Sequence, residues 1–149
     1  MITFHGKQEI KDALLAQIEK HRQADEIVQG YGYWRDGKGC AIGCMVHSRY
    51  HRALAKQIGV PVAIIYLVDS LFEAMPKIPA RSWPGRFVGS TPVGVDLAAV
   101  MVEQQFVHWL LVDSVRLVGH VKTNTLLTDC AALYRLWIDG AKPSYKEYT

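Results

Sequence analysis

A chain of 149 residues, half of them hydrophobic and 21% charged, can build its own core and is too apolar for a disordered tail. Its net charge of +3, with no run of five like charges, excludes a polybasic nucleic-acid arm. Three cysteines are an odd number. With no signal peptide in view, they point to free thiols in a reducing, cytoplasmic setting.

Gln8–Val28 carries Ile10, Leu14, Leu15, Ile18, Ile27 and Val28 at helical spacing. It predicts one amphipathic helix with a break near Ala24. The aromatic segment Tyr31–Gly39 follows and reads as a loop. Asp36-Gly37 offers a tight hairpin turn as the alternative.

Cys40–Ile58 predicts a second helix, closed by Gly59. Cys40, Cys44, His47 and His51 recur at spacings of 4, 3 and 4, which is the spacing of one helix face. Leu54 and Ile58 continue that face, so it points inward. Arg49, Arg52 and Lys56 form the opposite, solvated stripe. A strand over Cys40–Val46 is the weaker alternative.

Pro61 opens a third helix at a favoured early position. Ile64, Ile65, Leu67, Val68, Leu71, Phe72 and Met75 cover much of its surface, and Pro76 and Pro79 end it. Pro79–Gly94 reads as a loop. The apolar stretch from about Asp96 to Val118 predicts a long helix. Glu103, Gln104, Gln105, His108, Asp113 and Arg116 interrupt it, so it is expected at the centre of the protein and not across a membrane. A last helix covers Asn124–Ile138 and ends at Gly140, followed by a polar, frayed tail over Ser144–Thr149. The fold expected is all-α, a single compact bundle of four to five helices over 1–149 with a central apolar helix.

The Cys/His stripe carries the chemistry. Cys40 and His51 are eleven residues apart, roughly 16 Å along a helix. A zinc ion with bonds of ~2.0–2.3 Å cannot reach all four side chains. Cys44, His47 and His51 are the metal donors expected to act in neighbouring pairs. The remaining ligands would come from His108, Asp69, Glu73, Asp113 or His120, and zinc or iron is the cofactor implied. The other chemistry is nucleophilic: Cys40 follows Gly37-Lys38-Gly39 at a helix start, and Cys44 lies one turn from His47. Cys40, Cys44 and His47 are therefore the candidate catalytic residues, with Asp69 as a group that could orient a histidine. The bland alternative is a buried face whose thiols act as small hydrophobes.

Gly43 lies beside the stripe, where a ligand or another backbone can approach closely. Gln104 and His108 are polar positions on the apolar helix and need partners. Trp34, Trp83 and Arg86 lie in aromatic, basic segments of the kind that anchor macromolecular contacts. Gly43, Gln104, His108, Trp34, Trp83 and Arg86 are thus the candidate ligand-binding residues. Two functional readings stand. An interaction module with an internal Cys/His-lined pocket, binding a protein or a second copy of itself, needs the fewer special geometries. A thiol- or metal-dependent enzyme using Cys40 or Cys44 with His47 is the alternative. No recognised nucleic-acid signature is present, and no membrane span is expected.

Overall fold

A computed structural model describes residues 1–141. The polar tail expected over Ser144–Thr149 lies outside the described residues. The fold is all-α, as the helical spacing predicts, and its one sheet among the described residues is a two-stranded hairpin. The described chain falls into two compact units, Met1–Leu97 and a second from Ala98 onward.

The first unit opens with a 3-10 turn at Thr3–Gly6. Phe4 of this turn is wholly buried. Helix α1 runs Gln8–Gln23 and buries Leu14, Ile18 and His21, one stripe at helical spacing. The break expected near Ala24 is real, for Ala24 caps α1. Ile27 then leaves the helix and bridges to Gly39.

Strands β1 (Trp34–Arg35) and β2 (Lys38–Gly39) form an antiparallel hairpin. Asp36 and Gly37 both have positive φ, 51° and 76°, the backbone that a two-residue hairpin turn requires. The Asp-Gly alternative therefore holds over the plain loop.

The single helix expected over Cys40–Ile58 is two helices, α2 (Ala41–Val46) and α3 (His51–Ile58). His47 stands at the break in the left-handed region, with φ 48° and ψ 38°. Side-chain contacts described below hold it there. Gly59 caps α3 in the same left-handed region, as expected.

Helix α4 covers Val62–Ala74 behind Pro61. Helix α5 covers Lys77–Ser90, where a loop was expected from Pro79, Pro84 and Gly85. Pro79 falls in the first turn, where its missing N–H costs nothing. Pro84 lies in the interior, but Ala80, Pro84 and Val88 form a buried stripe at i, i+4, i+8. Burial of that stripe outweighs the lost hydrogen bond, because packing and not propensity holds most helices. The Trp83 indole N–H also donates to the Val68 carbonyl at 3.0 Å and ties α5 to α4.

In the second unit α6 (Val102–Leu117) packs against α7 (Val121–Ile138). Helix α6 is the apolar helix expected at the centre, yet none of its residues is buried. The largest fully buried side chains, Phe4, Phe72, Ile42, Met45, Leu54 and Ile58 among them, belong to the first unit. High apolar content signals a face to be covered, not its place in the fold.

The tightest packing lies between the hairpin and α2. A Cβ built on Gly43 would stand 1.0 Å from the Tyr33 carbonyl oxygen, and one on Gly39 2.0 Å from the same atom. The close approach foreseen at Gly43 is thus made by the chain's own backbone. Gly85 is different: a Cβ there meets only Ile18 Cγ2, at 3.8 Å. Gly43→Ala should therefore cost about 3 kcal/mol or more in urea unfolding, because a backbone oxygen cannot step aside. Gly85→Ala should stabilise by about 0.5–1 kcal/mol. Equal effects at the two sites would contradict this packing.

Candidate functional site

Two clusters of titratable side chains stand out in the first unit. The first is a chain of contacts from Glu26 through His21 to His47. The Glu26 carboxylate lies 2.6 Å from His21 Nδ1. His21 Nε2 lies 2.8 Å from His47 Nε2. A contact between two ring nitrogens needs one of them unprotonated, to accept the other's proton. His47 also stacks on Trp34, with ring centroids 4.1 Å apart. Trp34 meets His21 edge-on. These two partners explain why a non-glycine residue holds the left-handed backbone at the α2–α3 break.

Cys44 points toward this cluster but serves the fold. Its sulfur lies 3.5 Å from the Gly39 carbonyl and 3.6 Å from that of Glu26, two acceptors for one proton. Burial, the neighbouring Cys40 and the Glu26 charge push its thiol up to about 12. A thiol held this high supplies almost no thiolate at neutral pH. His47, the base expected beside Cys44, has its Nε2 engaged with His21.

The second cluster surrounds Cys40, which caps α2. Asp69 and Glu73 are four residues apart on α4 and so share a face. The Cys40 sulfur and one carboxylate oxygen from each all lie within 4.8 Å of one another. Asp69 Oδ2 accepts from His51 Nε2 at 2.8 Å. Asp69 Oδ1 is buried and has no hydrogen-bond partner. Glu73 Oε2 accepts from the Gly30 N–H at 2.8 Å. His51 itself is buried, stacked on Tyr66 at 4.2 Å and edge-on to Tyr33 at 5.4 Å. Burial pushes the Cys40 thiol up to about 11; the Asp69 charge and a hydrogen bond from the thiol to the Asp69 carboxylate add to this, and the Gly43 and Ile42 N–H groups oppose it.

The expected site residues therefore divide. Cys40 joins Asp69 and Glu73, two of the carboxylates named as ligands from elsewhere in the chain. His51 meets Asp69, as an orienting carboxylate would require. Cys44 and His47 belong to the other cluster, so Cys44, His47 and His51 are not brought to one point. Among the described residues, Cys40, Asp69 and Glu73 are the one set of three such donors that converges. Trp34 is part of the first cluster, and Trp83 is a packing anchor. Arg86 lines a groove of about 390 Å³ between α1 and α5. Gln104 and His108 lie on α6 of the second unit.

His21, Glu26 and Tyr66 are not singled out by the sequence reading, and Tyr33 enters it only as one of the aromatics of Tyr31–Gly39. His21 did carry a signal, for it follows Leu14 and Ile18 on the buried stripe of α1. A histidine on such a stripe needs a buried partner, and Glu26 is the nearest carboxylate after the helix. No family model, curated protein or solved structure matches the chain.

Burial and the His21 charge lower the His47 imidazole below its ordinary range, with Glu26 opposing. The folded protein thus takes up this proton less readily than the unfolded chain. The stability this gives is complete above the ordinary value of about 6.5 and is lost as pH falls below it. The unfolding temperature should drop between pH 7 and pH 5. His47→Asn keeps a residue suited to the left-handed backbone and removes the titration, so it should flatten that drop. An unchanged slope in the variant would contradict the assignment.

Proposed function

We propose that the first unit is a binding module for a divalent cation, held by Cys40, Asp69 and Glu73. The observation that carries this is the convergence of their three donor atoms within 4.8 Å, in a set where one carboxylate has an oxygen, Asp69 Oδ1, that is buried and unpaired. A buried acceptor without a donor costs about 1–3 kcal/mol. Two carboxylates beside one buried thiol also repel each other when ionised. A cation removes both costs at once. This reading places the metal alternative on Cys40 in place of Cys44, His47 and His51.

The nucleophilic alternative has less support. Both candidate thiols are pushed well above their ordinary range, whereas reactive cysteines have lowered values. All three cysteines are free, which supports a reducing, cytoplasmic setting. Among the described residues no helix is long and apolar enough to cross a membrane.

A second reading, a partner-binding role, draws on the second unit. Trp109, Leu117, Val121 and Leu126 are exposed there, and large exposed apolar patches mark interaction sites. Sedimentation at rising concentration decides whether a second copy covers them.

The cation reading predicts that zinc, manganese, calcium or magnesium raises the unfolding temperature of the full chain. At a hundredfold excess over Kd the gain is about 2.7 kcal/mol. Glu73→Gln should leave the metal-free protein within about 2 °C of wild type and remove most of the cation-induced rise. A full rise in the variant, or none in wild type with any of the four ions, would overturn the proposal.

A further inference from the structure

Resting on the cation-binding reading above, we infer that the ion is of the zinc class, bound by the Cys40 thiolate with Asp69 and Glu73 and leaving a further coordination position open. The donor set decides the class. Calcium and magnesium take oxygen ligands. A thiolate among the donors selects zinc and its softer neighbours.

The two carboxylates are prepared for an ion in the same way. Each has one oxygen held by an N–H: His51 Nε2 holds Asp69 Oδ2 at 2.8 Å, and the Gly30 N–H holds Glu73 Oε2 at 2.8 Å. Each therefore keeps a second oxygen outside that bond, and in Asp69 that oxygen, Oδ1, is buried. Ligating carboxylates are commonly braced by such outer hydrogen bonds. His51 is thus a positioning residue and not a ligand. Its ring is fixed in turn by Tyr66 and Tyr33.

Sulfur completes the set. The Cys40 side chain is buried, and the Ile42 and Gly43 N–H groups are directed at it. Those groups favour the thiolate, and a metal ion displaces the thiol proton outright. Ligand atoms around a zinc ion lie about 3–4 Å apart, so the trio needs only a small closing from its present spread. Three protein ligands leave a position for water or a substrate atom, the pattern of catalytic and not structural zinc.

The experiment is a cobalt(II) titration of the reduced full-length chain, followed by optical absorption and paired with calorimetry of zinc, calcium and magnesium. One equivalent of cobalt should raise the sulfur-to-cobalt charge-transfer band, and zinc should abolish it by displacement. Cys44→Ser and Cys130→Ser should keep the band, and Cys40→Ser should lose it. Glu73→Gln should weaken zinc at least about tenfold. If Cys40→Ser does not fold, the wild-type band and the preference for zinc over magnesium still decide. A band that persists in Cys40→Ser overturns the ligand assignment. Divalent binding with no sulfur band, or with magnesium equal to zinc, overturns the zinc class and leaves the cation module intact. No binding by any of these ions overturns both.

Discussion

The carbonyl of Tyr33 occupies the space where side chains at residues 39 and 43 would have to stand. Everything at the candidate site depends on that contact. It seats the residue before β1 against Gly39, the end of β2, and against Gly43 of α2. Seating the hairpin puts Cys40 at the head of α2, beside the face of α4 that bears Asp69 and Glu73. The same placement brings the Tyr33 ring to His51 and the Trp34 ring to His47. A methyl group at either glycine would move all of these together.

The two titratable clusters then differ in kind. Glu26, His21 and His47 form a closed set, in which carboxylate, donor and acceptor are matched and the outer ring is covered by Trp34. Such a network fixes backbone, and here it fixes the unusual conformation of His47. The set of Cys40, Asp69 and Glu73 is open. It holds two carboxylates for the single proton of the Cys40 thiol, which bonds to Asp69, and Asp69 Oδ1 is buried without a partner. Buried polar groups in native proteins are satisfied with few exceptions, so that oxygen in a set with a thiol and a second carboxylate is informative. The contrast between a matched network and an incomplete one, a few residues apart in the same unit, is the physical basis for assigning structure to the first and binding to the second.

Much of the helical fold was legible because apolar spacing, Pro61, Gly59 and Gly140 mark elements by local chemistry. Asp36-Gly37 carries a signal of the same kind, but the segment reads first as a loop and the hairpin is its alternative. The break at His47 was not, since spacing alone runs through it and its cause is a contact with His21, twenty-six residues earlier. Helix α5 was hidden by Pro84, whose cost is outweighed only by burial against other elements. At the site, Cys40, Asp69 and Glu73 were each visible as donors, and Asp69 as a partner for histidine. Their convergence was not visible, because it is set by the packing of α2 on α4 and not by spacing within one helix. The idea of a single Cys/His ridge failed there too: the left-handed residue His47 ends α2, and the packing of other elements sends Cys40 and His51 to Asp69 while His47 meets His21.

The central claim is that an ion bound to this chain touches one sulfur and the oxygens of two carboxylates. X-ray absorption at the zinc edge of the zinc-loaded, full-length protein reads that shell directly. The account predicts one sulfur at ~2.3 Å with the remaining neighbours oxygen at ~2.0–2.2 Å. A shell without sulfur, or one dominated by imidazole, would contradict it.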